Sequence, residues 1–187
     1  GYVESSADRG SGAPEAGSSP EIHGNLARIH ARAGELDAAA AEYERALALD
    51  PRNADALGGL SRCAATRGDP AREEQLAKRA VAATPDAAPA LSHLADLLCQ
   101  TGKRDEGIRL HRQALGLDDV SPALHLGLGG CLQLAGELDE AEARFRLARE
   151  LEPESFMALY SQRDVDTQRC RLAEAIASYE RALEIDT

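Results

Sequence analysis

Four glycines that follow one another at a constant interval of 34 residues constrain the fold of this chain more than any other feature. A fixed period of this length indicates stacked copies of one small repeat, each of which buries apolar surface against its neighbours. An alanine column and a proline column keep the same period. The sequence therefore predicts a repeat array. The columns are Gly34, Gly68, Gly102 and Gly136; Ala46, Ala80, Ala114, Ala148 and Ala182; and Pro51, Pro85 and Pro153, with Asp119 in place of one proline.

Each repeat reads as two helices, which we call the A helix and the B helix. Apolar residues recur at helical spacing, as in Leu91, Leu94 and Leu98. A periodic column of capping residues precedes the A helices, and the glycines fall at the A-to-B turn, where a left-handed backbone favours glycine. The cap column is Ser19, Asn53, Ala87, Ser121 and Ser155. The pattern predicts A helices over 21–33, 54–67, 88–101, 122–135 and 156–169, and B helices over 37–50, 71–84, 104–117, 138–151 and 172–185.

The chain divides by composition into two regions. Residues 1–19 are rich in Gly, Ser, Ala and Pro and predict a flexible tail or linker. Residues 20–187 predict five repeats, and the fifth is atypical because Gln162, Arg163 and Asp166 stand at apolar or small positions. No polar capping helix follows, so we expect a further domain or subunit to cover this end. The predicted repeats are 20–53, 54–87, 88–121, 122–155 and 156–187.

The residues at these positions resemble the tetratricopeptide repeat family, which has a W-x2-L-G-x2-Y…A-x3-F…P pattern. The fourth repeat carries this pattern as His125, Leu128, Gly129, Leu132, Ala141, Phe145 and Pro153, and the first as His23, Leu26, Ala27, His30, Ala39, Tyr43 and Pro51. The resemblance implies an all-α, right-handed superhelix, or solenoid. In such an array the A helices line a concave groove and the B helices lie outside.

The groove positions implied by this resemblance supply the candidate binding residues. Arg28 and Arg62 hold the same place in successive A helices, with Arg32 one turn beyond Arg28. We expect these arginines to receive acidic or carboxylate groups of a bound peptide; the alternative is that Arg62 pairs with Asp96. Further along, we expect an apolar section of the same groove, formed by Leu126, Leu134, Met157 and Tyr160. The candidate site residues are Arg28, Arg32, Arg62, His93, Asp96, Leu126 and Tyr160.

Several glycines fall inside predicted A helices, where each costs roughly 1 kcal/mol relative to alanine. We interpret Gly129 as the small residue that lets the two helices of its repeat approach. Gly58, Gly59, Gly127 and Gly130 either let a ligand backbone approach the groove wall or leave the helix locally weak.

The cysteines and histidines predict packing rather than metal binding. The four cysteines, Cys63, Cys99, Cys131 and Cys170, match no zinc spacing, and we expect them to be unpaired in a reducing compartment. Four histidines, His23, His30, His111 and His125, occupy signature positions that are normally apolar or aromatic. No metal or cofactor is therefore expected.

The sequence favours a binding module over an enzyme, because no residue set suggests general acid–base or nucleophilic chemistry. A net charge of −11, carried mostly by the B helices and their turns, argues against nucleic acid as a ligand. No apolar run approaches the roughly 20 residues of a membrane span, and we expect a cytoplasmic protein without membrane insertion. We predict a scaffold that binds a protein or peptide in its groove. The alternatives are a non-catalytic segment of a larger enzyme, such as a bacterial-type transferase, and a self-associating array.

Overall fold

A computed structural model describes the backbone of residues 19–185, and their side chains except at 174, 175 and 177–185. The predicted tail thus lies outside the described residues, apart from Ser19. The described residues form nine α-helices and no strand, which confirms the all-α prediction. The first eight helices begin and end within one residue of the predicted bounds. They are α1 Pro20–Arg32, α2 Leu36–Leu49, α3 Ala54–Thr66, α4 Pro70–Ala83, α5 Ala88–Gln100, α6 Arg104–Leu117, α7 Pro122–Ala135, α8 Leu138–Leu151 and α9 Phe156–Ile185.

The helices belong to two compact units that meet in sequence between Ala83 and Thr84. The first unit contains α1–α4, and the second contains α5–α9. Within the units, each A helix packs on the B helix that follows it, and α1 also packs on α3, as α5 does on α7 and α7 on α9. The A helices of one unit therefore lie side by side and present a common surface.

The predicted glycine turns are confirmed. Gly34, Gly68, Gly102 and Gly136 have φ angles of 79°, 73°, 88° and 86°, in the left-handed region that glycine enters without a Cβ clash. The following residue then donates its backbone N–H to a carbonyl of the last helical turn. This bond runs from Glu35 to His30 at 2.9 Å and from Lys103 to Leu98 at 2.8 Å. The turn thus satisfies carbonyl groups that the end of the A helix leaves unpaired.

The predicted N-caps form in part. The Ser19 hydroxyl accepts from the backbone N–H of Ile22 at 3.4 Å, and the Asn53 side chain accepts from that of Ala56 at 2.9 Å. Ser121 stands at the N-cap of α7, but its side chain makes no capping bond. The cap column therefore marks helix starts more reliably than it marks side-chain bonds.

Aromatic rings and glycines fit against one another in the cores of both units. The ring of Tyr43 lies over Gly59, and a Cβ at Gly59 would fall within 2.6 Å of three ring atoms. The ring of Phe145 lies over Gly129, where a Cβ would fall within 3.0 Å of three ring atoms. Gly129 thus lets α7 and α8 approach, as predicted.

The structure explains the presence of Gly59 and Gly127 by ring packing, and not by ligand approach or local helix weakness. Gly127 lies under the buried ring of His111, with the Cε1 atom 2.5 Å from a Cβ built at the glycine. In both pairs the ring belongs to a residue of the preceding B helix, 16 positions before the glycine. These glycines therefore admit a ring of the protein itself. Gly130, by contrast, has open space at its Cβ position.

The histidines follow the packing prediction at two positions. His111 is fully buried and His125 is 6% exposed. His23 and His30 are partly exposed, and the Nδ1 atom of each lies 2.6 Å from a carboxylate oxygen, of Glu42 and Glu35 respectively. Polar pairing, rather than burial alone, thus accounts for these two.

The prediction of two separate helices in the fifth repeat is wrong. Residues 156–185 form one continuous helix, α9, where a turn was expected near Cys170. In the four preceding turns a glycine takes a positive φ. Cysteine carries a Cβ, and the segment around it contains neither glycine nor proline, so the right-handed helix continues. The B-helix sequence of this repeat therefore continues the A helix instead of folding back on it.

The prediction of four unpaired cysteines is also wrong, since Cys99 of α5 and Cys131 of α7 are joined as a disulfide. Their Cα atoms are 5.5 Å apart, within the usual range for such a bond. The cysteines meet because α5 and α7 are neighbouring A helices. Cys63 is buried and Cys170 exposed, both as free thiols. The expectation of a reducing compartment, which depended on unpaired cysteines, loses that support.

We expect only two thiols to react with Ellman's reagent after the chain is unfolded without a reductant, since Cys63 and Cys170 are the free cysteines. Reduction with dithiothreitol should raise the count to four. Because the disulfide joins residues 32 apart, reduction should lower the free energy of unfolding by roughly 3–4 kcal/mol. Four reactive thiols before reduction would show that the disulfide does not form.

Candidate functional site

The A helices of the first unit border a cavity of about 370 Å³ that contains two of the predicted arginines. Arg28 extends from α1 and Arg62 from the equivalent position of α3. The guanidinium of Arg28 donates to the side-chain oxygen of Asn25. The 34-residue period therefore brings the two guanidinium groups into one cavity. We call this the first cavity, and its lining residues are Pro20, Glu21, Gly24, Asn25, Arg28, Tyr43, Asn53, Asp55 and Arg62.

Tyr43 contributes to this cavity from α2, a role that the sequence reasoning missed. The residue is only 3% exposed, and its ring reaches the cavity past Gly59. Burial raises the pKa of the Tyr43 hydroxyl above its ordinary value, although the charges of Arg62 and Arg28 act in the opposite direction. The phenol therefore keeps its proton at neutral pH and offers the cavity an O–H donor.

We expect alkaline titration to identify Tyr43 by a pKa above about 10, the ordinary value for tyrosine. The step should be visible in the difference of tyrosinate absorbance between the unmodified chain and Tyr43→Phe. Because the folded state holds this proton more tightly, Tyr43 should stabilise the fold below the ordinary pKa and lose that effect as the pH rises through the raised value. A titration step below pH 10 would contradict this assignment.

Two carboxylates also lie in the first cavity, and each stands seven residues before one of the two arginines. They belong to Glu21 on α1 and Asp55 on α3, and the hydroxyl of Ser19 lowers the pKa of Glu21. Seven residues of helix span roughly 10 Å. The cavity thus carries acidic groups at the beginning of the A helices and guanidinium groups further along.

Arg32 does not join this arrangement. It is exposed in the last turn of α1 and is not among the residues that line the cavity. The structure therefore brings together two of the three arginines that the sequence grouped.

A second cavity, of about 520 Å³, lies along the A helices of the second unit. Asp96 comes from α5, Leu126 and Leu134 from α7, and Met157 from α9. The disulfide between Cys99 and Cys131 forms part of the same wall. The lining residues of this second cavity are Asp96, Cys99, Gln100, Ala123, Leu126, Gly127, Gly130, Cys131, Gln133, Leu134, Met157, Ser161, Asp164 and Gln168.

The remaining predicted residues, His93 and Tyr160, do not line the second cavity. Tyr160 is exposed, stacks on Phe156 with ring centroids 6.1 Å apart, and borders a smaller cavity with Arg163, Asp164 and Thr167. His93 is half-buried on α5 and does not line the second cavity. Of the predicted site residues, Asp96 and Leu126 therefore line the second cavity.

The described residues contain neither a helix that could span a membrane nor a cluster of metal-ligating side chains. No helix among them is both long and apolar enough to cross a lipid bilayer. Among the described residues, no three His, Cys, Asp or Glu side chains lie close enough together to hold a metal ion.

Comparison with known proteins identifies the repeat type. A model of the tetratricopeptide repeat matches residues 25–88 and 93–156. The Protein CTR9 homolog of Arabidopsis thaliana is 31% identical over 77 residues, which cover 41% of this chain and only 7% of that relative.

Solved structures share the fold over most of the chain. TTC0263, a tetratricopeptide protein of Thermus thermophilus, is 26% identical, with a TM-score of 0.71, and the match covers 89% of this chain and 91% of that one. YrrB, a tetratricopeptide protein with an unusual peptide-binding site, is 22% identical, with a TM-score of 0.62 and coverage of 79% and 76%. Since the repeat model matches more than half of its residues, this chain belongs to the tetratricopeptide repeat family.

Proposed function

We propose that this protein is a non-catalytic scaffold that binds an acidic segment of a partner protein or peptide in the first cavity. The observation that carries the proposal is the placement of Arg28 and Arg62 in one cavity beside the buried Tyr43. Among the described residues, neither guanidinium forms an ion pair with a carboxylate. Both charges are therefore available to a ligand.

The chemistry of the cavity favours carboxylates over other anions on a peptide. A guanidinium presents a planar fork of N–H donors that matches the two oxygens of a carboxylate. The protonated phenol of Tyr43 adds an O–H donor between the two A helices. A segment with neighbouring Asp or Glu side chains would satisfy both arginines, whereas a single small anion would satisfy one. The peptide-binding site of YrrB, which shares this fold, supports a peptide as the class of ligand.

The proposal is tested with a fluorescein-labelled peptide of alternating Glu and Leu, the acidic probe, whose binding is followed by fluorescence anisotropy. Arg28→Ala/Arg62→Ala should weaken binding at least about tenfold, because two charge-assisted hydrogen-bonding groups are lost. Arg52→Ala/Arg79→Ala is the matched control: it removes the same charge from exposed positions that do not line the cavity. Equal affinities for the two variants would overturn the proposal.

A further inference from the structure

We propose that the second cavity is a separate binding groove for a cationic and apolar segment, in which a Leu-like side chain is flanked by Lys or Arg. We call it the acidic groove; its defining residues are Asp96, Asp164, Leu126, Leu134 and Met157. The inference rests on the proposed function in one respect, namely that A-helix surfaces of this chain bind peptides. It adds a second ligand chemistry, of opposite charge to the first.

Apolar side chains form one part of the acidic groove. Leu134 is 51% exposed and Met157 is 58% exposed, and both line the cavity together with Leu126. They come from two neighbouring A helices, α7 and α9. Large apolar side chains that remain exposed in a concave surface are typical of binding sites. An apolar ligand side chain placed there would remove them from water.

The charge of the groove selects the rest of the ligand. Two carboxylates, of Asp96 and Asp164, line the cavity, and none of its lining residues is Lys, Arg or His. Arg163, which precedes Asp164 on α9, borders the smaller cavity and does not line this one. The first cavity, in contrast, contains Arg28 and Arg62 as well as two carboxylates. Charge complementarity therefore favours a cationic occupant in the acidic groove.

The carboxylates are held in place and still have acceptor capacity. One oxygen of Asp96 lies 2.9 Å from Nε2 of the buried His111, and one oxygen of Asp164 accepts from the amide of Gln133. An ionised carboxylate has about four lone-pair sites. Each group can therefore bind an ammonium or guanidinium of the ligand while its present partner fixes its orientation. Gln100 and Gln168, also in the lining, can bond to the backbone of an extended peptide.

The test uses a fluorescein-labelled peptide of alternating Lys and Leu, the basic probe, with binding again followed by anisotropy. Asp96→Asn/Asp164→Asn keeps the shape of both side chains and should weaken binding roughly tenfold. Asp105→Asn/Asp118→Asn makes the same change in net charge at exposed positions of α6 and its C-cap, and should leave the affinity nearly unchanged. Equal loss in the two variants would show general charge attraction and overturn the inference.

A third probe of alternating Lys and Ser tests the apolar part of the ligand. It should bind roughly tenfold more weakly than the basic probe, because it places no apolar side chain against Leu134 and Met157. Equal binding of the two basic peptides would overturn the inference. If the acidic probe still binds through Arg28 and Arg62 while the basic probe does not bind, only the acidic groove is refuted. If neither probe binds, the proposed function fails as well.

Discussion

Replacing Gly59 with alanine is expected to lower the free energy of unfolding by about 1–3 kcal/mol, although alanine is the better helix former. A Cβ at this position would fall within 2.6 Å of three atoms of the Tyr43 ring. The ring is 3% exposed and belongs to a packed helix, so it cannot move away without opening the core. The same movement would displace the Tyr43 hydroxyl from the first cavity.

Gly58, the preceding residue of α3, supplies the matched control. Its Cβ position is 3.7 Å from the nearest atom, a terminal nitrogen of Arg62, which is an ordinary contact distance. Gly58→Ala should therefore raise the free energy of unfolding by about 0.5–1 kcal/mol through helix propensity alone. Urea unfolding followed by circular dichroism measures both variants. A change of the same sign at both positions would refute the ring-and-glycine packing.

Replacing Phe145 with alanine should produce the largest loss of stability, about 3–5 kcal/mol. Phe145 of α8 is 1% exposed and is the largest fully buried side chain among the described residues. Only 3% of the chain is aromatic, so the remaining core consists mainly of Ala and Leu. These short side chains can only partly fill the space that the ring leaves.

Leu147→Ala, in the same helix, is the control. Leu147 is 39% exposed, and its truncation should cost less than about 1 kcal/mol. Gly129→Ala adds a second check, since its Cβ would clash with the Phe145 ring. It should destabilise the unmodified chain but be neutral or stabilising in Phe145→Ala, a coupling that a double-mutant cycle measures. Additive effects would mean that Gly129 and Phe145 do not share a packing site.

The helices were predictable because their start and stop signals are local. A glycine with positive φ ends the A helix, and this requirement can be read from the residue type alone, as at Gly34 and Gly136. Cys170 shows the limit of the same rule. The period predicted a turn there, but the backbone follows the local residue, and no glycine is present to reverse the chain.

The candidate site was predictable only where the period itself determines the neighbours. Arg28 and Arg62 share a cavity because they are one repeat apart on adjacent A helices. Tyr43 could not be assigned in this way, since the family pattern gives its position to core packing and only the space left by Gly59 lets the ring reach the cavity. The disulfide could not be predicted either. The separation of 32 residues between Cys99 and Cys131 indicates a contact only when α5 and α7 are known to pack together.

Photocrosslinking tests most directly whether the A helices of the first unit bind an acidic peptide. The acidic probe would carry a benzophenone group, and mass spectrometry of proteolytic fragments would locate its attachment. We expect attachment within α1 and α3, near Arg28 and Arg62, that is lost in Arg28→Ala/Arg62→Ala and kept in Arg52→Ala/Arg79→Ala. Attachment mainly to the exposed faces of α2 and α4, or attachment unchanged by loss of the two cavity arginines, would contradict the proposed binding site.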